Sequence, residues 1–274
     1  MRRYLPAPLR ASLSRLKRRL ARRVVRSAAT ADKYRYVFIV TYGRSGSTLL
    51  MSMLNTIPGY RINGENNNAL YRLHQAGAAI DRASREHSGA EHQSARGAWY
   101  GMPRVEPRKF RQELVDSFVT HVLRPEPGDR VLGFKEIRYT KSDMPDLADF
   151  LRFLRGAFPH SKIIFNHRNV SDTAKSSWWA RNERSVEKLK IADERLSAVA
   201  ADKRHFHFYY DEIDDSLENI RALFRFLGEE LDEAAVRRVL NTRHSPAPAK
   251  YAIDTPPAPR EGSSAESRSS RQPQ

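Results

Sequence analysis

The 274-residue chain contains no cysteine, so neither a disulfide framework nor a zinc-thiolate site can underlie its stability. It has no apolar run near the roughly 20 residues of a membrane-spanning helix, and no secretory apolar segment near its start. No stretch repeats internally, and no group of His, Asp and Glu stands at metal-ligand spacing. Acidic residues are missing altogether from residues 1–30, where ten Arg and Lys fall. These absences predict a cytoplasmic protein without a metal centre.

What is present is enough chain for one α/β domain with short appendages. The formal net charge is +16, and ten of those charges sit in the arm, residues 1–30. The body is therefore only mildly basic, as a pocket for a polyanionic ligand requires. A nucleic-acid-binding module would spread its charge along an aromatic-studded face, so nucleic acid is disfavoured as a partner. Within the arm Leu9, Leu13, Leu16, Leu20 and Val24 recur at helical steps among arginines. That pattern suits an anionic membrane surface, which would make the protein peripheral to the inner membrane face. A solvated basic extension fits the same residues. The expected organisation is an extension over 1–33, a domain over 34–246 and a disordered Pro/Ser/Arg-rich tail over 247–274.

One stretch organises the domain. Residues 37–41 are an apolar, β-branched run of strand length. Gly43-Arg-Ser-Gly-Ser-Thr48 follows, and Leu49, Leu50, Met53 and Leu54 then return at helical spacing. Strand, glycine loop and helix are the layout of a phosphate cradle, in which loop N–H groups and the helix dipole converge on an anion. The ATP-hydrolase form of this loop needs G-x-x-x-x-G-K-[ST]. Aligned on Gly46, this chain has Thr41 in place of the first Gly and Ser47 in place of the Lys. Arg44 is the nearby cation instead.

Further strands are predicted at residues 60–63, 131–134, 161–165 and 205–209. They alternate with helices over 69–76, 110–123, 147–158, 172–181, 186–199, 217–227 and 231–240, which calls for a parallel sheet. Residues 83–105 read as a polar loop or lid carrying an isolated Trp99-Tyr100.

Tyr42-Gly-Arg-Ser-Gly-Ser-Thr-Leu-Leu50 resembles the 5′-phosphosulfate loop of sulfotransferases that use 3′-phosphoadenosine 5′-phosphosulfate (PAPS). Arg168-Asn-Val-Ser-Asp-Thr-Ala-Lys-Ser176 is similar to that family's 3′-phosphate motif, an Arg and a Ser eight residues apart. Val170 stands where the family has Pro. Tyr209-Tyr-Asp-Glu-Ile213 and Phe226-Leu-Gly228 resemble its Tyr-Glu-Asp-Leu segment and the helix end after it. The resemblance covers residues 36–240. It implies a P-loop-like three-layer α/β fold with a central parallel sheet flanked by helices. It also implies PAPS as donor, with adenosine 3′,5′-bisphosphate as product. Arg44, Ser45, Gly46, Ser47, Thr48, Arg168, Ser176 and Tyr210 would hold it, Tyr210 lying against the adenine.

Sulfuryl transfer requires charge stabilisation on the leaving phosphate, in-line placement of the acceptor, and removal of the acceptor's proton. Arg44 and the loop amides suit the first task. Glu65, just after the second strand, is the favoured base, because relatives acting on glycans or protein tyrosines place a glutamate in this region. Glu136, Lys135 and His92 are rivals, and Lys135 could equally hold the sulfuryl group. His74, His167 and His244 rank lower. The acceptor is a hydroxyl or amine, with glycan and lipid head group among the classes left open. A small P-loop kinase is the competing reading, against which the missing lysine and the Arg168/Ser176 pair both count.

Overall fold

The computed structural model describes residues 33–175, 179–180 and 185–242. The expectations for residues 1–30 and 247–274 lie outside these. Five strands, β1 (Arg35–Val40), β2 (Tyr60–Asn63), β3 (Val131–Glu136), β4 (Lys162–His167) and β5 (His205–Tyr209), form one sheet. Every pairing is parallel and the order is β2-β3-β1-β4-β5. The central strand β1 is buried from Tyr36 to Val40 and β3 along its whole length. Apolar residues on both faces of a strand are what two covering helical layers demand.

The helices are α1 (Ser47–Leu54), α2 (Ala69–Glu86), α3 (Pro107–Phe118), α4 (Leu147–Ala157), α5 (Val170–Ala174), α6 (Ser185–Ser197), α7 (Glu218–Leu227) and α8 (Glu233–Leu240). Alternate strand residues supply two cores. Tyr36, Phe38, Val40, Phe134 and Phe165 pack with α2, α3, α4 and α6, whereas Val37, Ile39 and Ile164 pack with α1, α7 and α8. The fold is a three-layer α/β sandwich of P-loop type. No described helix is long and apolar enough to cross a membrane.

The strand order places the crevice. After β1 the chain passes to β2 on one side of the sheet, and after β4 it passes to β5 on the other. Since β1 and β4 are neighbours, their connections part at the carboxyl ends and leave a cleft, where ligands bind in such sheets. The Thr41–Gly46 loop forms one lip and Arg168 the other.

Two boundaries differ from expectation. Residues 83–105 are no continuous loop, because α2 runs on to Glu86 and 3₁₀ turns follow at Ala90–Gln93 and Met102–Arg104. His87 stacks on Trp99 at 3.9 Å, so the exposed aromatic has a local partner. The helix expected over 172–181 begins earlier and ends at Ala174, with Asn169 capping it by accepting from the Asp172 N–H at 3.1 Å.

At the amino ends of the strands, Glu229 ties β1, β2 and the approach to β3 together. It accepts two bonds from Arg130, at 2.7 and 2.6 Å, one from Arg35 at 2.9 Å and one from Tyr60 at 3.1 Å. The Arg130 bonds, against burial, hold its carboxyl below the ordinary range. Glu229→Ala should cost about 1.5–3 kcal/mol, read as a lower urea midpoint at an unchanged m-value. A carboxyl depressed on folding stabilises above the unfolded value near pH 4.3, and that contribution disappears as pH falls through the folded value. The variant's deficit should therefore shrink in acid, and a deficit that grew there would contradict the assignment.

Candidate active site

The loop after β1 turns because two of its residues are left-handed, Arg44 at φ 68° and Gly46 at φ 81°. Its carbonyls are engaged in succession. Gly43 O accepts from Trp179 Nε1 at 3.0 Å, Arg44 O from Arg168 Nη1 at 3.1 Å, and Ser45 O from Asn166 Nδ2 at 2.8 Å. Gly46 O takes the N–H groups of Leu49 and Leu50. With the carbonyls held by the protein, the N–H groups opening α1 are the dipoles left for an anion. Helix α1 reinforces this, having no acidic residue in its first turn and no side chain capping its N-terminus.

The hydroxyls divide. Ser45 is fully buried, and its Oγ lies 2.7 Å from Thr41 Oγ1, which donates to the Asn166 carbonyl at 2.6 Å. Its hydroxyl therefore braces the loop from behind, which leaves its backbone N–H for a ligand. Ser47 and Thr48 open α1 itself, Ser47 nearly buried and Thr48 half-buried.

On the other lip, Arg168 follows β4. Its guanidinium lies 4.7 Å from the centre of the Tyr210 ring, and its buried Nε makes no hydrogen bond but pairs with the Asp211 carboxylate at 3.9 Å. Tyr210 packs directly over Gly46. A Cβ added there would stand 2.8 Å from Tyr210 Cγ and nearer still to two other ring carbons. Arg44, Gly46, Arg168 and Tyr210 are thus brought together as expected, whereas Ser176 lies outside the described residues.

Glu65 stands at the carboxyl end of β2 and forms an ion pair with Lys135 of β3. The Glu65 side chain is 38% exposed and that of Lys135 9%, so the carboxylate faces solvent while the ammonium is sunk beneath it. Glu136, the next residue, points to the opposite face and is fully buried. Its carboxylate accepts the N–H groups of Asn66 at 3.2 Å, Asn68 at 2.9 Å and Ile137 at 2.9 Å. That removes it as a rival base. It is the anchor of the turn that carries Glu65, in which Asn67 and Asn68 are both left-handed.

The histidines also sort themselves. His92 lies past the far end of α2, about 25 Å along the helix axis from Ala69, edge-on to His87. His74 ties α2 to α4 through Asp149 at 2.7 Å, and His244 lies outside the described residues. His167 belongs to a buried chain that sequence reasoning missed. Tyr42 Oη lies 2.9 Å from Asp193 Oδ1, which lies 2.7 Å from His167 Nδ1. His167 Nε2 lies 2.9 Å from His207 Nδ1, and His207 Nε2 lies 2.7 Å from the Val199 carbonyl. Burial, with Asp193 adding to it, pushes the Tyr42 phenol up, and burial pushes the His207 imidazole down. Against burial, bonds from His167 and Tyr42 hold the Asp193 carboxyl low. No sequence signal marked Asp193.

The model of the sulfotransferase family matches residues 36–233. The sulfotransferase domain of the olefin synthase from Synechococcus PCC 7002 is 19% identical, covering 76% of this chain and 78% of its own, at a TM-score of 0.47. Sulfotransferase STF9 from Mycobacterium avium is 15% identical, covering 79% and 69%, at 0.40. Sulfotransferase STF1 from Mycobacterium tuberculosis is 14% identical, covering 79% and 73%, at 0.36. No curated protein matches the chain significantly.

Proposed function

Since the chain belongs to the sulfotransferase family, we propose that it takes PAPS as donor and transfers the sulfuryl group to an acceptor hydroxyl or amine. The observation that carries this reading is the pair of cationic lips. A loop whose carbonyls are engaged by Trp179, Arg168 and Asn166 meets Arg168, whose buried Nε makes no hydrogen bond, the Asp211 carboxylate lying 3.9 Å away. One lip suits the 5′-phosphosulfate and the other the 3′-phosphate.

In this assignment Gly46, Ser47 and Thr48 hold the 5′ group, Ser45 contributing through its backbone alone. Arg44 stabilises the charge that grows on the phosphate oxygen as the S–O bond breaks. Lys135 sits where it can neutralise the oxygens of the sulfuryl group in transit. Glu65 accepts the acceptor's proton, and its exposure puts it at the mouth where an acceptor enters. Ser176 completes the 3′ site and Tyr210 borders the adenine. The donor supplies the activated sulfuryl group, and the residues supply placement, charge and a base.

The test is nucleotide selectivity. Adenosine 3′,5′-bisphosphate should raise the melting temperature far more than ATP, which has no 3′-phosphate. Arg168→Ala should weaken bisphosphate binding by about 10- to 100-fold, the worth of a charge-assisted bond. Equal stabilisation by both nucleotides would favour the kinase reading instead.

A further inference from the structure

Between the two lips runs a second connection, which the transfer chemistry does not use. Tyr42 is the last residue before the glycine loop, and its side chain is wholly buried. Its hydroxyl accepts the backbone N–H of Arg168 at 3.0 Å and lies 2.8 Å from the Arg168 carbonyl. One phenol thus meets the main chain on both sides of Arg168, its single proton shared between the Arg168 carbonyl and the Asp193 carboxylate, and ties β1's lip to β4's. The clamp is held from behind by Asp193 of α6, which is held in turn by His167 and His207.

The hydrogen-bond count of this chain is restrictive. The Val199 carbonyl can only accept, so His207 donates from Nε2. The contact of His207 Nδ1 with His167 Nε2 and that of His167 Nδ1 with the Asp193 carboxyl each need a proton of their own. Three bonds thus draw on three protons, one more than two neutral imidazoles and a carboxylate carry, and the group shares it behind Tyr42, with Asp193 part-exposed. Around it stand Tyr209, stacked on His167 at 4.9 Å, His205 beside His207, Asp211 near Tyr42, and Arg168 itself.

We infer that Tyr42, oriented by the Asp193–His167–His207 chain, is a positioning residue that sets the span between the loop and Arg168, and so selects nucleotides phosphorylated at both the 5′ and 3′ positions. The inference rests on the 3′-phosphate assignment to Arg168. The physical basis is rigidity, because a guanidinium that must meet a phosphate at a set distance from the loop gains little if its backbone drifts. Asp211 secures the next residue by accepting the Asn169 N–H, so the turn is gripped at two successive peptides.

The experiment measures the ratio of dissociation constants for adenosine 5′-monophosphate and adenosine 3′,5′-bisphosphate on the full chain. Wild type should show a large ratio. Tyr42→Phe and Asp193→Ala should each reduce it about tenfold, the worth of a lost buried hydrogen bond, mainly by weakening the bisphosphate. Asp193→Asn should keep it within about threefold, since the amide oxygen can take the place of Asp193 Oδ1, the one atom that meets both Tyr42 and His167. A brace with only a structural role would lower the melting temperature and weaken both nucleotides equally, leaving the ratio unmoved, and that result overturns the inference. If Asp193→Ala does not fold, Tyr42→Phe alone decides. A wild-type ratio near one overturns the 3′-phosphate assignment itself, a failure distinct from an unmoved large ratio.

Discussion

Glu65→Gln should lower kcat by about 10²–10⁴-fold while leaving adenosine 3′,5′-bisphosphate affinity equal to wild type or tighter. The first half follows from removing a base without changing its size. The second follows from the ion pair. With the carboxylate neutralised, the nearly buried Lys135 loses its counter-charge and adds its field to the anion site. The pH-rate profile should also lose its acidic limb, because that limb reports protonation of the base. Turnover measured with labelled donor at saturating acceptor checks the claim. Retention of more than about a tenth of wild-type kcat would place the base elsewhere. Glu136 would not be the substitute, since three backbone N–H groups occupy it, and Lys135 as a neutral amine would be tested next.

Gly46→Ala should damage stability and binding together. At φ 81° an L-residue costs about 1–2 kcal/mol, and the added methyl group would also press into the Tyr210 ring. Displacing the ring disturbs its cation–π contact with Arg168 at 4.7 Å. Bisphosphate affinity should fall by about tenfold or more, since ring and guanidinium are displaced at once. The double variant Gly46→Ala/Tyr210→Ala separates the two causes. It should recover the steric part of the stability loss and keep the backbone part, giving a coupling energy of about 0.5–3 kcal/mol in a double-mutant cycle. Additive losses would mean that Tyr210 does not rest on Gly46.

Most of the fold was legible in the sequence, and the reason is local. A strand buried on both faces carries a continuous apolar run, and residues 36–40 and 163–165 read that way without reference to anything else. The glycine loop was legible because its glycines and hydroxyls lie within six residues. The end of α2 was misread because Ala83–Glu86 is polar, yet a helix of 18 residues with one face on α3 and α4 needs little apolar content at its tip. The helix after Arg168 was misplaced for a different reason. Asn169 caps it, and a cap depends on the turn geometry that precedes it.

The candidate site divides along the same line. The sequence by itself determined that a cradle follows β1, that an arginine follows a buried strand, and that the family resemblance is to sulfotransferases, because each of these is written in consecutive residues. Only the tertiary structure decided which neighbours do what. Lys135 and Glu136 are adjacent in the chain and both were candidates. Consecutive strand residues face opposite layers, so one pairs with Glu65 beneath the mouth and the other is locked under the 66–68 turn. Ser45 and Ser47 look equivalent in the motif, but the left-handed step at Gly46 turns the first behind the loop and leaves the second at the helix start. Tyr42 meets Asp193 across 151 residues of chain, a contact that exists because β1 and β4 are neighbours and α6 covers the face to which both Tyr42 and His167 point. Strand order and side-chain parity act between segments, and no window of sequence contains them.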